Sequence, residues 1–341
     1  MHQKIGIGVI GCGHWGPNHI RSFASLPQSR VLAAADPDKS RIQELKKLYP
    51  AVQFTRNYRE ILRNKAVDAV IVATPTSLHA KVAQEALQAG KHVLVEKPLC
   101  TSVAEGTALL RHAKKNGCIL MVGQVFLFNN GILKLKELLD SGELGKIYYI
   151  GSTRTNLGPI RQDVNATYDL ASHDISIFNF LLDSRPSEVS AVGQAFLQQG
   201  IEDLAFISMR YPNQVIGRIH VSWLDPRKVR EITIVGDKKM VTWDDLSTVG
   251  PVQIYDKGVI REPYYEDYGH FHLLAREGDV VIPRVKEEEP LKNQARHFLS
   301  AIGQGKIQMS HGEDGLNVVR VLEAIQQSLQ EGGAPVKVRV S

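Results

Sequence analysis

In the first third of the chain, apolar residues come in short unbroken runs, each followed by a stretch with apolar positions at helical spacing. The runs Lys4–Ile10, Val31–Ala35, Ala69–Ala73, His92–Val95 and Cys118–Val122 predict strands. The stretches Pro17–Ser25, Ser40–Tyr49, Tyr58–Arg63, His79–Ala89 and Ser102–Asn116 predict helices. A run such as Ala69-Val70-Ile71-Val72-Ala73 has no polar face, so it suits a strand buried on both sides of a parallel sheet. Strands alternating with helices predict a doubly wound Rossmann domain over residues 1–123.

The pattern changes after Val122. A helix is predicted over Gly131–Leu139, then strands follow one another over Ile147–Thr155, Val189–Leu197, Ala205–Tyr211, Val215–Leu224 and Arg230–Val235. Val215, Gly217, Ile219, Val221 and Trp223 fall on one face of their strand, and Arg218, His220 and Ser222 on the other. This period of two predicts an α/β domain over residues 124–341 with a large, mostly antiparallel open sheet. One face should meet helices and the other a second subunit, making a homodimer or homotetramer. Further helices are predicted over Leu170–Leu182, Leu291–Ile302 and Leu316–Leu329.

Composition narrows the class without choosing a function. A chain of 341 residues with 43% hydrophobic and 23% charged positions has the profile of an ordinary globular protein with room for two cores. No apolar stretch reaches the length of a membrane span, and a strand begins too early to leave room for a signal peptide. The net charge of +5 is dispersed among acids with no basic block, which argues against nucleic acid and leaves a field suited to an anionic substrate. Cys12, Cys100 and Cys118 are too few and too scattered for a disulfide framework or a zinc site and read as reduced cytoplasmic thiols. His270-Phe271-His272 has no acidic or cysteine companion, so no metal is expected there.

The chemistry lies in three places. Gly11-Cys12-Gly13-His14-Trp15-Gly16 joins a predicted strand to a predicted helix, the setting in which a glycine loop lets a pyrophosphate reach a helix N-terminus. Asp36 ends the next strand, where a carboxylate would bind the adenosine ribose hydroxyls and repel a 2′-phosphate, so NAD is expected over NADP. Thr74-Pro75-Thr76 follows another strand and falls in the crevice where such sheets bind ligands. Lys97, within Glu96-Lys97-Pro98, follows a buried strand, where an ammonium could stabilise a developing alkoxide. Asp169 and His173 are four residues apart at a predicted helix start, a spacing that lets the carboxylate orient the imidazole of a general base. Taken by itself, helix capping by Asp169 would be the better explanation of that residue.

These motifs resemble the Gfo/Idh/MocA family of oxidoreductases over nearly the whole chain. The resemblance rests on Gly11–Gly16, Thr74–His79, residues 89–98 with their Glu-Lys-Pro, the Asp169/His173 pair and Ser310-His311-Gly312-Glu313-Asp314-Gly315. It implies NAD bound by Gly11, Gly13, His14, Trp15, Gly16, Asp36, Thr74, Pro75, Thr76, His79, Glu96, Lys97 and Gln124. It also implies catalysis by Lys97, Asp169 and His173. The chain departs from the family pattern at Thr167-Tyr168 and at Phe126-Leu127-Phe128-Asn129-Asn130, both on the substrate side.

Residues 154–165 and 220–230 are similar to the branch containing UDP-N-acetylglucosamine 3-dehydrogenases. In that branch the C3 hydroxyl of a UDP-sugar is oxidised and the keto product passes to an aminotransferase. On this reading the substrate is held by Lys97, Arg154, Asn156, Arg161, Asn165, Asp169 and His173, with Arg227 and Arg230 as further diphosphate contacts. Ion pairing is the plainer role for at least two of those arginines. The alternatives are an inositol or free-sugar dehydrogenase and a non-catalytic NAD-responsive regulator, which would have no need of all three catalytic residues.

Overall fold

The computed structural model describes residues 4–261 and 273–339. His270-Phe271-His272 lies outside the described residues. The chain divides into two compact units, residues 1–128 with 288–323 and residues 129–287 with 324–341.

In the first unit β1 (Ile5–Ile10), α1 (Trp15–Ala24), β2 (Ser29–Ala35), α2 (Lys39–Leu48), β3 (Gln53–Thr55) and α3 (Tyr58–Arg63) are followed by β4 (Ala69–Val72), α4 (His79–Gln88), β5 (His92–Glu96), α5 (Val103–Asn116) and β6 (Leu120–Gly123). The strands form one sheet in the order β3-β2-β1-β4-β5-β6, every neighbour pair parallel. Strand order reverses between β1 and β4, which opens the crevice at their C-terminal ends where ligands bind in such sheets. Val70, Ile71, Val72, Val93 and Val95 are fully buried, as unbroken apolar strands require. The short edge strand β3 has no buried residue and so carries little of the hydrophobic signal that marks the others.

The second unit contains α6 (Asn130–Asp140), β7 (Ile147–Leu157), α7 (Ser172–Leu182), β8 (Glu188–Gln194), β9 (Leu204–Arg210), β10 (Ile216–Ser222), β11 (Leu224–Gly236), β12 (Met240–Asp244), β13 (Val252–Tyr255), β14 (Gly258–Arg261), β15 (Leu273–Arg276) and β16 (Val280–Val281). Nine strands, including β17 (Val336–Lys337), make one sheet in the order β16-β13-β12-β11-β7-β10-β9-β8-β17. Only the β7–β10 pair is parallel. The period of two holds from Val215 to Val221, with Val215, Gly217, Ile219 and Val221 buried and Arg218 exposed, and ends there, since Ser222 is buried beside Trp223. The opposite face carries exposed Tyr149, Phe206 and Ile216, with the Phe206 and His220 rings stacked at 4.4 Å.

Two helices precede β17 in the chain, α8 (Pro290–Gln304) and α9 (Gly312–Gln330). Residues 288–323 belong with the first unit, so a division at residue 123 has to be corrected. Packing is the reason. Leu316 and Val319 of α9 enter the Rossmann core, and Phe298 of α8 meets Phe23 of α1 edge-on at 6.3 Å between centroids. Ser310 exchanges hydrogen bonds with β6, its hydroxyl donating to the Val122 carbonyl (2.7 Å) and its own carbonyl accepting from the Val122 N–H (2.9 Å). A Cβ on Gly315 would stand 2.5 Å from the Val122 side chain, so the Ser-His-Gly-Glu-Asp-Gly stretch is a close-packing device for this helix.

Candidate active site

The dinucleotide cradle of the first unit is built from glycines with distinct tasks. Gly11 has φ +96°, and a Cβ there would lie 2.4 Å from the Ala73 carbonyl oxygen. A Cβ on Gly16 would lie 2.1 Å from the Gly11 carbonyl oxygen. Both positions therefore serve the turn itself. A Cβ on Gly13 would meet only the tip of Arg41, at 3.2 Å, so Gly13 faces the open side that a pyrophosphate would fill. His14 precedes α1 without a side-chain cap and Trp15 opens it, so the first N–H groups of α1 are left for an anion.

Asp36 is buried after the last residue of β2, its oxygens accepting from the Cys12 N–H (2.7 Å) and the Asp38 N–H (2.8 Å). Each oxygen keeps a lone pair for a ribose hydroxyl. Burial, then the Asp36 charge, push the Cys12 thiol up to about 12, against a pull from Arg41, which keeps it protonated. The Thr74 hydroxyl is buried with no hydrogen-bond partner among the described residues, the kind of orphan a bound ligand satisfies. Pro75 and buried Thr76 begin a single 3₁₀ turn after β4. The residues present fit NAD.

The end of β5 is held from several sides. Glu96 accepts from His19 (2.7 Å) and from the Lys97 N–H (3.3 Å). A Cβ at Gly123 would stand 3.1 Å from the Glu96 carboxylate, so the glycine leaves that carboxylate its room. Lys97 is half-buried and its bond to Pro98 is cis. Gln124 is buried, its amide oxygen 3.0 Å from the Ser310 hydroxyl, whose single proton it shares with the Val122 carbonyl. His79, expected at the cofactor, is engaged within the protein. Its two ring nitrogens lie 2.8 Å from the Pro98 carbonyl and 3.0 Å from the Thr74 carbonyl, so the ring ties two strand ends together.

In the second unit Asp169 lies in a wide π turn, Thr167–Ala171, that runs directly into α7, with His173 in the first turn of that helix. Such wide turns recur at functional sites. The Asp169 carboxylate accepts from the Trp223 indole N–H and from Arg161, both at 3.3 Å. Capping of the helix falls to Asn165, whose amide oxygen accepts from the Tyr168 N–H (3.1 Å) and the Thr167 hydroxyl (2.7 Å). The Asn165 NH₂ donates to Glu202 (2.6 Å) and Gln326 (2.8 Å). That fills the hydrogen-bonding capacity of the side chain, so Asn165 is corrected from substrate ligand to structural cap.

The arginines also need revision. Arg154, 3% exposed, makes a bidentate pair with buried Asp174 (2.8 and 3.0 Å) and is corrected from diphosphate ligand to core ion pair. Arg161 is bidentate to Asp163 (2.9 and 2.7 Å) besides its contact with Asp169, and Arg230 pairs with Asp245 at 3.0 Å. Asn156 is half-buried at the end of β7, and Arg227 is exposed. Sequence reasoning did not single out Trp223 as a partner of Asp169, nor His19 as a partner of Glu96. The available signal for His19 was its place on the buried face of α1, one turn beyond Gly16. Among the described residues no cluster of three or more His, Cys, Asp or Glu is placed to hold a metal, and no helix is long and apolar enough to cross a membrane.

An NAD cradle followed by a second α/β unit with an open sheet defines a two-domain oxidoreductase. The model of the oxidoreductase family with an NAD-binding Rossmann fold matches residues 5–124, and that of the Gfo/Idh/MocA C-terminal domain matches residues 132–242. The chain belongs to the Gfo/Idh/MocA family. It is 30% identical to scyllo-inositol 2-dehydrogenase (NAD(+)) of Bacillus subtilis over 66% of this chain and 69% of the relative. It is 28% identical to UDP-N-acetylglucosamine 3-dehydrogenase of Acidithiobacillus ferrooxidans over 76% of this chain and 78% of the relative. An aldose-aldose oxidoreductase from Caulobacter crescentus, solved with glycerol, shares the fold with a TM-score of 0.83 at 22% identity, covering 98% of this chain and all of that one.

Proposed function

We propose that the protein is an NAD-dependent dehydrogenase that oxidises a secondary ring hydroxyl of a sugar or polyol. The observation that carries this reading is the Asp169 carboxylate held at the head of α7, four residues before His173, in a chain whose NAD cradle is followed by a strand-end lysine. In this reading His173 takes the hydroxyl proton, Asp169 orients its imidazole, and the Lys97 ammonium stabilises the oxygen as negative charge develops. NAD, when bound, supplies the hydride acceptor.

The finer reading is oxidation of UDP-N-acetylglucosamine at C3, with the ketone consumed by an aminotransferase. It is supported by the likeness of residues 154–165 and 220–230 to that branch and by the relative of that name. A free cyclitol or sugar is the second reading, and the ion pairs of Arg154, Arg161 and Arg230 favour it, because a diphosphate clamp needs guanidinium groups that are not already engaged. The buried, protonated thiols of Cys12 and Cys100 support a reducing, cytoplasmic setting. The exposed apolar positions on one face of the open sheet support a homodimer or homotetramer.

Anaerobic NAD reduction should be measured with UDP-N-acetylglucosamine, its uronic acid, free N-acetylglucosamine and myo-inositol, with an aminotransferase or carbonyl reagent trapping the ketone. Turnover confined to the UDP-sugars supports the finer reading, and turnover of free sugars or cyclitols the second. No NAD reduction with any trapped substrate, or full turnover by Lys97→Ala and His173→Ala, would overturn the assignment of catalysis.

A further inference from the structure

Lys97 leaves the sheet between two residues that are each held by a buried histidine from a different helix. On one side, His19 of α1 is 1% exposed and its Nε2 lies 2.7 Å from a Glu96 carboxylate oxygen. Its Nδ1 is buried and has no hydrogen-bond partner among the described residues, so the Glu96 contact is what the polar side of this ring provides. On the other side, His79 opens α4, is also 1% exposed, and places Nδ1 2.8 Å from the Pro98 carbonyl and Nε2 3.0 Å from the Thr74 carbonyl. A neutral imidazole satisfies one of these carbonyls and turns a lone pair to the other, whereas the doubly protonated ring satisfies both.

Burying a polar ring without full satisfaction costs stability, and an apolar side chain would fill either site more cheaply. Both rings instead grip the residues flanking the strand-end amine. The Glu96 carboxylate is further confined by the Lys97 N–H and by the close wall at Gly123.

We propose that His19 and His79 are positioning residues that brace Lys97 from both sides, fixing the direction in which its side chain leaves β5. The role of Lys97 rests on the function proposed above, but the brace is a property of the first unit alone. Because displacing a reacting group by about 1 Å can cost roughly 100-fold in rate, the brace should appear in turnover and not in cofactor affinity.

The test uses the full chain and three measurements. His19→Leu and His79→Leu should each lower kcat by about 10- to 100-fold, while the NAD Kd by calorimetry moves less than about threefold. His19→Gln keeps an N–H near the Nε2 position and His79→Asn keeps one near Nδ1; both should recover most of the loss. The third measurement needs no substrate: with lysines reductively methylated with ¹³C, the Lys97 resonance, assigned through Lys97→Arg, should shift in the leucine variants and return in the conservative ones.

Unchanged kcat with an unchanged resonance in the leucine variants would overturn the proposal. So would a loss of kcat matched by loss of NAD affinity and melting temperature, or failure of the conservative variants to recover. If no trapped substrate is oxidised, the proposed function fails, and the resonance still decides the brace.

Discussion

Replacing Arg154 by Met tests whether this arginine belongs to the substrate or to the core. Its guanidinium grips Asp174 through two hydrogen bonds of 2.8 and 3.0 Å, and the side chains of the pair are only 4% and 1% exposed. Methionine fills much of the stem volume but leaves a carboxylate on α7 with its main counter-charge removed and no access to water. Breaking a buried pair from one side costs about 3–5 kcal/mol, because the orphaned charge keeps its desolvation penalty. For a unit of this size that corresponds to a fall of roughly 6–20 °C in melting temperature. Calorimetry and urea unfolding read this directly. Arg154→Met combined with Asp174→Leu removes both charges and should return most of the stability, which separates the ion pair from simple loss of packing. The KM for any substrate found should stay within about twofold in the double variant, since a residue whose fork is engaged elsewhere contributes little uniform binding. A single variant of unchanged stability with a tenfold higher KM would refute this reasoning and restore Arg154 to the substrate.

Gly13→Ala should fold normally but bind NAD at least about tenfold more weakly by calorimetry, as its Cβ meets only the mobile tip of Arg41 on the side needed for backbone approach to the pyrophosphate. Gly16→Ala should lose stability as well, and equal behaviour of the two variants would contradict the separate roles given to these glycines. Asp36→Ser should raise the NAD Kd and narrow the gap to NADP, helped by Arg41, whose guanidinium lies 4.0 Å from the Asp36 carboxylate; an unaltered NAD/NADP ratio would count against the ribose contact. Burial holds the His92 imidazole below its ordinary value against an opposing pull from Asp68, and its Nδ1 accepts from the Ile119 N–H at 3.0 Å. The unfolded chain then binds a proton that the folded chain resists, so this contribution to stability is complete above the unfolded value of about 6.5 and is lost progressively as pH falls from there through the lowered folded value. His92→Asn, which keeps an acceptor, should flatten the acid side of a plot of urea midpoint against pH. Phe206→Glu, on the exposed face of β9, should shift sedimentation toward the monomer without changing the melting of the first unit; an unchanged oligomer would place the subunit contact elsewhere.

Local sequence determined much of this protein because some physical requirements are local. A strand buried on both faces needs an unbroken apolar run, so β1, β2, β4, β5 and β6 were legible; β3, with no buried residue, was not. A glycine loop between strand and helix and a carboxylate at the end of β2 were legible as candidate phosphate and ribose contacts, because both demands fall on neighbouring residues. The alternation in residues 215–221 likewise showed a sheet with unlike faces.

Tertiary structure decided whatever depends on partners distant in the chain. Arg154 looked available as an anion ligand until Asp174, 20 positions away on another element, was found gripping it. Asn165 looked equally available until Glu202 and Gln326 were found to engage its amide. His19 and Glu96 are 77 positions apart, and no spacing rule joins them. The return of residues 288–323 to the first unit was hidden for the same reason: a helix shows in its own sequence which face is apolar, but not which of two cores will bury it.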